Sequence, residues 1–197
     1  MEPIHLSDLL ELLNSDSCLP DPCMYQYYKG LTNNTIIIND EINDNLLEMA
    51  VLPLLEMDRD PNVDHIDIIL NSCGGDIYSG FSFVSALERI TTNTTIHIVG
   101  MAASMGGLIA MAKGKHLKTV CDQFSVGLIH SGSRYVGGST HAVRDTFKFA
   151  ERYEEKIKNY ILSHTKIDET MYAEIERQEF WMDAEDMLKY DVVQEII

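Results

Sequence analysis

Basic residues are scarce. Fifteen lysines and arginines stand against 31 aspartates and glutamates, which leaves a formal net charge of −16 and a pI near 4.6. Without a basic patch to displace phosphate counterions, a nucleic-acid partner is disfavoured, and the acidity reads as a solvated, soluble surface. No uncharged apolar run reaches membrane-spanning length, so no membrane partner is expected. The opening "MEPIHLSDLLELL" has no basic stretch and carries acids within its apolar run, so a signal peptide is not expected either. Only four cysteines occur, Cys18, Cys23, Cys73 and Cys121, and no two form a CxxC pair. That argues against a zinc site and, at this chain length, against a disulfide framework. A reducing, cytoplasmic compartment is the expectation. Internal repeats, low-complexity tracts, a GxGxxG motif and a Walker lysine are all missing.

What is present is a chain of 197 residues, 45% hydrophobic, which suits one globular domain with a sizeable core. Residues 1–24 differ in character from the rest, and "NSDSCLPDPC", with Pro20 and Pro22, reads as loop. From Tyr25 the pattern becomes regular. "NTIIIND", "HIDIILN", "TTIHIVG", "KHLKTV" and "FSVGLIH" read as strands. Between them, "NDNLLEMAVLPLLEMD" has helical spacing with Asn43 or Asp44 as a cap and a defect at Pro53. "IYSGFSFVSALERI" is a second helix, and a third runs from Ser104 to about Ala112. Strand and helix alternate, which predicts an α/β protein of repeated βαβ units around a parallel sheet. A long helix follows, "THAVRDTFKFAERYEEKIKNYILSHT". Thr140 is its expected N-cap, and Val143, Phe147, Ala150, Ile157 and Ile161 form its expected core stripe. A smaller helix starts at Asp168.

Three stretches carry candidate chemistry. In "VGMAASMGGLIAMAKG", residues 99–114, Ser104 stands between a strand and the first turn of a helix. A nucleophile elbow needs small residues two positions to either side, and Ala102 and Gly106 occupy them. The backbone N–H of Met105 would then face a developing oxyanion. The same residues also suit a capping serine in a packed turn. In "NSCGGDIYSG", residues 71–80, Gly74 and Gly75 follow a strand and precede a helix, as either a tight turn or the second half of an oxyanion hole. Of the seven histidines, His5, His65, His97, His116, His141 and His164 read as structural or solvated. His130 differs because it ends a strand. Ligands collect at the carboxyl ends of parallel strands, and Ser104, Gly75 and His130 would share that edge.

The combination "NSCGGDIYSG", "GMAASMGGLIAMAKGK" and "LIHSG", in this order and spacing, resembles the proteolytic subunit family of the Clp protease. The resemblance covers Tyr25 to the C-terminus. It implies the ClpP/crotonase fold and a serine endopeptidase without cofactor or metal. In that family Ser104 would be the nucleophile and His130 the general base, with Gly75 and Met105 as oxyanion donors. Residues 131–163 would be the handle of a domain spanning 25–197. The implied partners are unfolded polypeptides, an AAA+ ATPase unfoldase and copies of the chain itself, as a heptamer and a stacked tetradecamer.

Three departures from the family pattern stand out. Cys73 replaces a rigid proline. Residues 1–24 do not match the family's N-terminal pore loop. In "IERQEFWMDAEDM" the place of the catalytic acid is taken by Gln178. An amide orients a histidine but supplies no full charge. Read as a strand, the segment puts Glu176 on the same side as Gln178 and Glu179 on the other, which ranks Gln178 first, Glu176 second and Glu179 third. A catalytically impaired ring subunit, a phage-type maturation protease and, least favoured, a crotonase-like acyl-CoA enzyme are the competing expectations.

Overall fold

The computed structural model describes residues 21–132 and 136–197. Residues 1–20 of the expected N-terminal segment and residues 133–135 of the expected handle lie outside that range. The chain runs α1 (Pro22–Thr32), β1 (Thr35–Ile38), a π-helical turn (Leu47–Val51) leading into α2 (Leu52–Met57), β2 (His65–Ser72), α3 (Ile77–Leu87), β3 (Asn93–Ala103), α4 (Met105–Ala110), β4 (Leu117–Cys121) and β5 (Val126–Ile129). It continues through α5 (Thr140–His164), α6 (Glu169–Ile175), β6 (Phe180–Met182), α7 (Ala184–Lys189) and β7 (Glu195–Ile196). No described helix is long and apolar enough to cross a membrane.

The expected parallel sheet is present. Its order is β1-β2-β3-β4-β7, every neighbouring pair parallel. Alternation in the strands puts Ile66, Ile68 and Leu70 of β2 and Ile96 and Ile98 of β3 on one buried face. Phe83, Val84 and Leu87 of α3 and Ile109 of α4 complete the same core. Burying one such side chain fully stabilises the fold by about 1.5–3 kcal/mol.

β3 changes partner along its length. Thr94–Ile98 pair with β4, whereas Met101–Ala103 pair with β5. Gly100, with φ +93, stands at the changeover. The buried Ser125 hydroxyl clamps it, donating to the Ile98 carbonyl at 2.8 Å and accepting from the Gly100 N–H at 3.2 Å. β6 then adds antiparallel to β5. The sheet therefore splits where the candidate serine and histidine emerge.

Several local readings are corrected. Pro22 begins α1 instead of breaking it, because the first helical position needs no N–H; the Asp21 carboxylate accepts from the Cys23 and Met24 N–H groups ahead of it. Pro53 is accommodated by the π-helical turn before it, which relieves the ring's clash with the preceding turn. The N-cap of α5 is Ser139, whose Oγ accepts from Ala142 N at 3.3 Å, in place of Thr140. The expected stripe of α5 is core only from Ala150 onward. Phe147 is 54% exposed, and nine of the first ten residues of the helix stand in solvent.

Candidate active site

Ser104 closes β3 and is the N-cap of α4. Its backbone has φ 53 and ψ −119, a region that side-chain-bearing residues seldom occupy and that marks a stored strain. The turn is held from outside: the Ser104 N–H donates to the Leu128 carbonyl of β5 at 2.8 Å. Small residues make the turn sterically possible. Ala102 is buried, and a Cβ on Gly106 would lie 3.1 Å from the Ser72 carbonyl oxygen. No side chain caps α4, so Ser104 Oγ is not spent on its own helix. Of the two readings open in the sequence, the elbow geometry is the one adopted.

His130 follows β5 directly. Because β5 pairs with the last residues of β3, the two chain ends emerge side by side, and Ser104 Oγ and His130 Nε2 lie 2.9 Å apart. The remaining described histidines are engaged elsewhere or show no such contact. His97 meets Asp122 at 2.9 Å, His164 meets Glu88 at 2.9 Å, His116 meets Asn93 at 3.2 Å and His65 meets Thr95 at 3.2 Å.

The glycine loop lies against the serine. Gly74 has φ +99, and a Cβ there would come within 2.6 Å of Ser104 Cβ and 2.9 Å of Met105 N. Gly75 has φ +143, and a Cβ would meet the Ile42 carbonyl oxygen at 2.1 Å. Straps fix the loop: Ile42 N–H donates to Gly74 O and Asp76 N–H to Ile42 O, both at 2.7 Å. Ser72 Oγ accepts from the Gly74 N–H at 3.1 Å and donates to the Asp40 carbonyl. The N–H groups of Gly75 and Met105 take no acceptor among the described residues. They are thus available at the edge where Ser104 stands.

A cavity of about 240 Å³ opens beside the pair. Ser104, His130 and Met105 line it together with aliphatic side chains such as Leu108, Ile157 and Ile175. Two carboxylates also line it, Glu154 of α5 and Glu176 at the end of α6. Glu154 went unremarked in the sequence because it lies on an acidic helix face with no motif to single it out.

The structure does not bring Gln178 to this cavity. Segment 176–178 is a continuing helical turn and not the strand expected for it: Glu176 caps α6, Arg177 N–H donates to Glu174 O at 3.0 Å, and Gln178 N–H to Ile175 O at 3.4 Å. Glu179 accepts from the Trp181 indole at 3.0 Å. No described side chain accepts a hydrogen bond from His130 Nδ1. Among the described residues, no cluster of acids, histidines and cysteines is arranged to hold a metal ion.

Known proteins similar to this chain fall in one family. The family described as Clp protease matches residues 21–197. The ATP-dependent Clp protease proteolytic subunit of Streptococcus mutans is 28% identical over 179 residues, covering 87% of this chain and 88% of its own. ATP-dependent Clp protease proteolytic subunit 2 of Bacillus licheniformis is 28% identical over 168 residues, covering 85% and 87%. The corresponding subunit of Streptococcus gordonii is 27% identical over 179 residues, with the same coverage as that of S. mutans. With a family match across nearly the whole chain, and a strained serine in hydrogen-bond contact with a histidine at the split of the sheet, the chain belongs to the Clp protease family.

Proposed function

We propose that this chain is a Clp-type serine endopeptidase that cleaves polypeptides through Ser104 and His130. The observation that carries the reading is the 2.9 Å contact between Ser104 Oγ and His130 Nε2, made by a serine whose backbone is held at positive φ. A hydroxyl is a weak nucleophile until a base takes its proton. As Oγ bonds to the scissile carbonyl carbon, its proton passes to Nε2 and the carbonyl oxygen becomes an oxyanion. The Gly75 and Met105 N–H groups are the donors suited to that charge, one from each strand-to-helix loop. The imidazolium then protonates the leaving amine, and water deacylates Ser104 by the same relay.

The partners follow from the family and from the shape. Self-assembly into rings of seven, with two rings stacked through the α5 handle, fits a helix whose first half stands off the core with Phe147 and Phe149 exposed. The names of the relatives, ATP-dependent proteolytic subunits, support an ATPase as a second partner, and a cytoplasmic site of action is the one this reading takes. One domain covering residues 25–197, preceded by a divergent N-terminal segment, is the organisation this reading takes.

A catalytically impaired ring subunit is the second reading. It is favoured by two observations: no carboxylate among the described residues accepts from His130 Nδ1, and Gln178 holds the sequence place of the acid. Fluorophosphonate labelling, turnover of a fluorogenic peptide and native mass, measured on one sample, separate the two. Ser104-dependent labelling and turnover support the peptidase. Assembly with a background rate unchanged in Ser104→Ala supports the scaffold.

A further inference from the structure

We infer that the cavity beside Ser104 takes a lysine or arginine side chain of the substrate, with Glu154 and Glu176 as the residues that set this preference at the cleaved bond. The inference rests on the peptidase reading above and names the substrate class of that same site. The cavity has two unlike ends. Its inner wall is apolar and closed, since Met105, Ile161 and Ile175 are buried. Its outer edge carries Glu154 and Glu176, both exposed to solvent. The two carboxylates come from different helices. Glu154 shares one face of α5 with Ile157 and Ile161, spaced three and then four residues along. Glu176 closes α6 beside Ile175 and one turn after Tyr172, which also line the cavity. The side chain concerned is that of the residue contributing the scissile carbonyl. Its Cα is bonded to the carbon that Ser104 Oγ attacks, and the lining continues from Ser104 to Met105 and Leu108, on the oxyanion side of the nucleophile.

An aliphatic trough that ends in negative charge discriminates by side-chain type. Leucine or methionine fills the apolar part and leaves the carboxylates facing water. Glutamate brings a further negative charge to that edge. Lysine and arginine lay a methylene stem along the apolar wall and carry their charge out to the edge. Among the described residues, no lysine or arginine lines the cavity to neutralise it first. Lys158 of α5 is ion-paired with Glu169 at 2.7 Å, its ammonium 5.8 Å from the Tyr172 ring. The Tyr172 phenol feels both carboxylates. Burial raises its pKa most, Glu176 raises it further, Lys158 partly opposes, and Glu154 and Glu155 add a smaller push upward. Fields from two helices thus meet at one point of the cavity wall. The formal net charge of −16 draws cationic segments toward the chain in the same sense.

The test is kcat/KM on peptidyl-aminocoumarin substrates that differ only in the residue before the cleaved bond: lysine, norleucine, leucine and glutamate. Norleucine keeps the stem of lysine without its charge. The full assembled chain is compared with Glu154→Gln, Glu176→Gln, the double variant, Glu155→Gln and Ser104→Ala, at low and high salt. The quantity read is the lysine-to-norleucine ratio, which is internal to each sample and independent of how much of it is assembled. Wild type is expected to prefer lysine about ten-fold, with about three-fold from each partly exposed carboxylate, and to use glutamate least. High salt shrinks the ratio, because charges at the edge are screened. Each single variant lowers it about three-fold, and the double variant brings it close to one. Glu155→Gln, on the same helix but off the lining, changes it less. The inference is overturned if wild type turns over norleucine or leucine faster than lysine, if the double variant keeps the wild-type ratio, or if Glu155→Gln matches Glu154→Gln. Should the double variant fail to assemble, the single variants decide; should those fail too, the wild-type ratio and its salt dependence decide. A Ser104→Ala rate equal to wild type on every substrate sinks the peptidase reading itself, whereas Ser104-dependent turnover with the wrong preference sinks only this inference.

Discussion

The Tyr160 hydroxyl donates to the Leu108 carbonyl at 3.1 Å. Leu108 lies in the last turn of the helix that Ser104 opens, where carbonyls lose their intrahelical partners. Tyr160 belongs to α5, so the bond ties the long helix to the nucleophile's own helix. Burial holds the phenol well above its ordinary pKa, and it remains a donor throughout the working pH range. Tyr160→Phe keeps the edge contact with Phe81 at 5.4 Å and removes only the donor. A loss of about 1–2 kcal/mol is expected from the unsatisfied carbonyl, visible as a lower denaturant midpoint with an unchanged slope.

Gly74→Ala tests the elbow from the opposite side. The new methyl would need space 2.6 Å from Ser104 Cβ at a backbone φ of +99. Either the loop or the serine must shift. Displacing a nucleophile by about 1 Å costs about 100-fold in rate, so kcat/KM is expected to fall at least that far, with slower fluorophosphonate labelling in a protein that still assembles.

Asp58 ties the end of α2 to the turn that precedes β3. Its carboxylate accepts from Thr91 N at 2.9 Å, Thr91 Oγ1 at 3.0 Å and Thr92 N at 2.8 Å. Burial works to raise its pKa, but these hydrogen bonds outweigh it and hold the group below the usual carboxylate value. The folded-state pKa is depressed, so its contribution is present above about pH 4 and is lost as pH falls below that. Asp58→Ala should cost about 1 kcal/mol at neutral pH and show less further loss between pH 5 and 3 than wild type. Chemical denaturation at three pH values measures both.

Cys121 is fully buried, and burial, with a smaller contribution from Asp122, pushes its thiol up to about 11. Cys23 and Cys73 are exposed. A thiol reagent at pH 8 should therefore modify Cys73 and Cys23 in the folded protein and reach Cys121 only on unfolding. The raised pKa also sets a sign. Its stabilising contribution is whole below about pH 8.5 and is lost as pH climbs toward the folded value. Stability measured between pH 8.5 and 10 should fall less steeply in Cys121→Ala.

Phe147→Glu tests the handle. Phe147 and Phe149 are 54% and 43% exposed, and Phe149 stacks with Tyr153 and Tyr78 at 5.8 and 6.5 Å. Among the described residues Phe147 belongs neither to the core nor to the side chains packed against it. The expected effect of the charge is on native mass, a shift toward smaller assemblies, with the thermal midpoint of the remaining species little changed.

Much of the frame was legible because period-2 and period-3.6 patterns leave little choice. "HIDIILN" alternates in the sequence, and β2 alternates in its burial. The serine turn was legible through its small neighbours, since no bulky residue fits that backbone. Other features lay beyond pattern reading. Pro53 announced a defect, but not that a π-helical turn would absorb it. Val143 and Phe147 continued an apolar stripe past the point where a core exists to receive it. Segment 176–178 was misread because three residues carry no period: as a strand it would put Glu176 and Gln178 on one side, whereas the turn puts Glu176 and not Gln178 on the lining of the cavity. The changeover of β3 at Gly100 depends on contacts with Ser125, 25 residues away, which no local window contains.

The three strands that border this sheet hold only four, three and two residues, in β1, β6 and β7. An open row of backbone donors and acceptors invites any extended chain to add itself as another strand, and short borders blunt that invitation. For a protein read as handling unfolded polypeptide at high local concentration, the benefit is discrimination. On that reading, extended substrate finds little main-chain ladder to adhere to along the sheet margins.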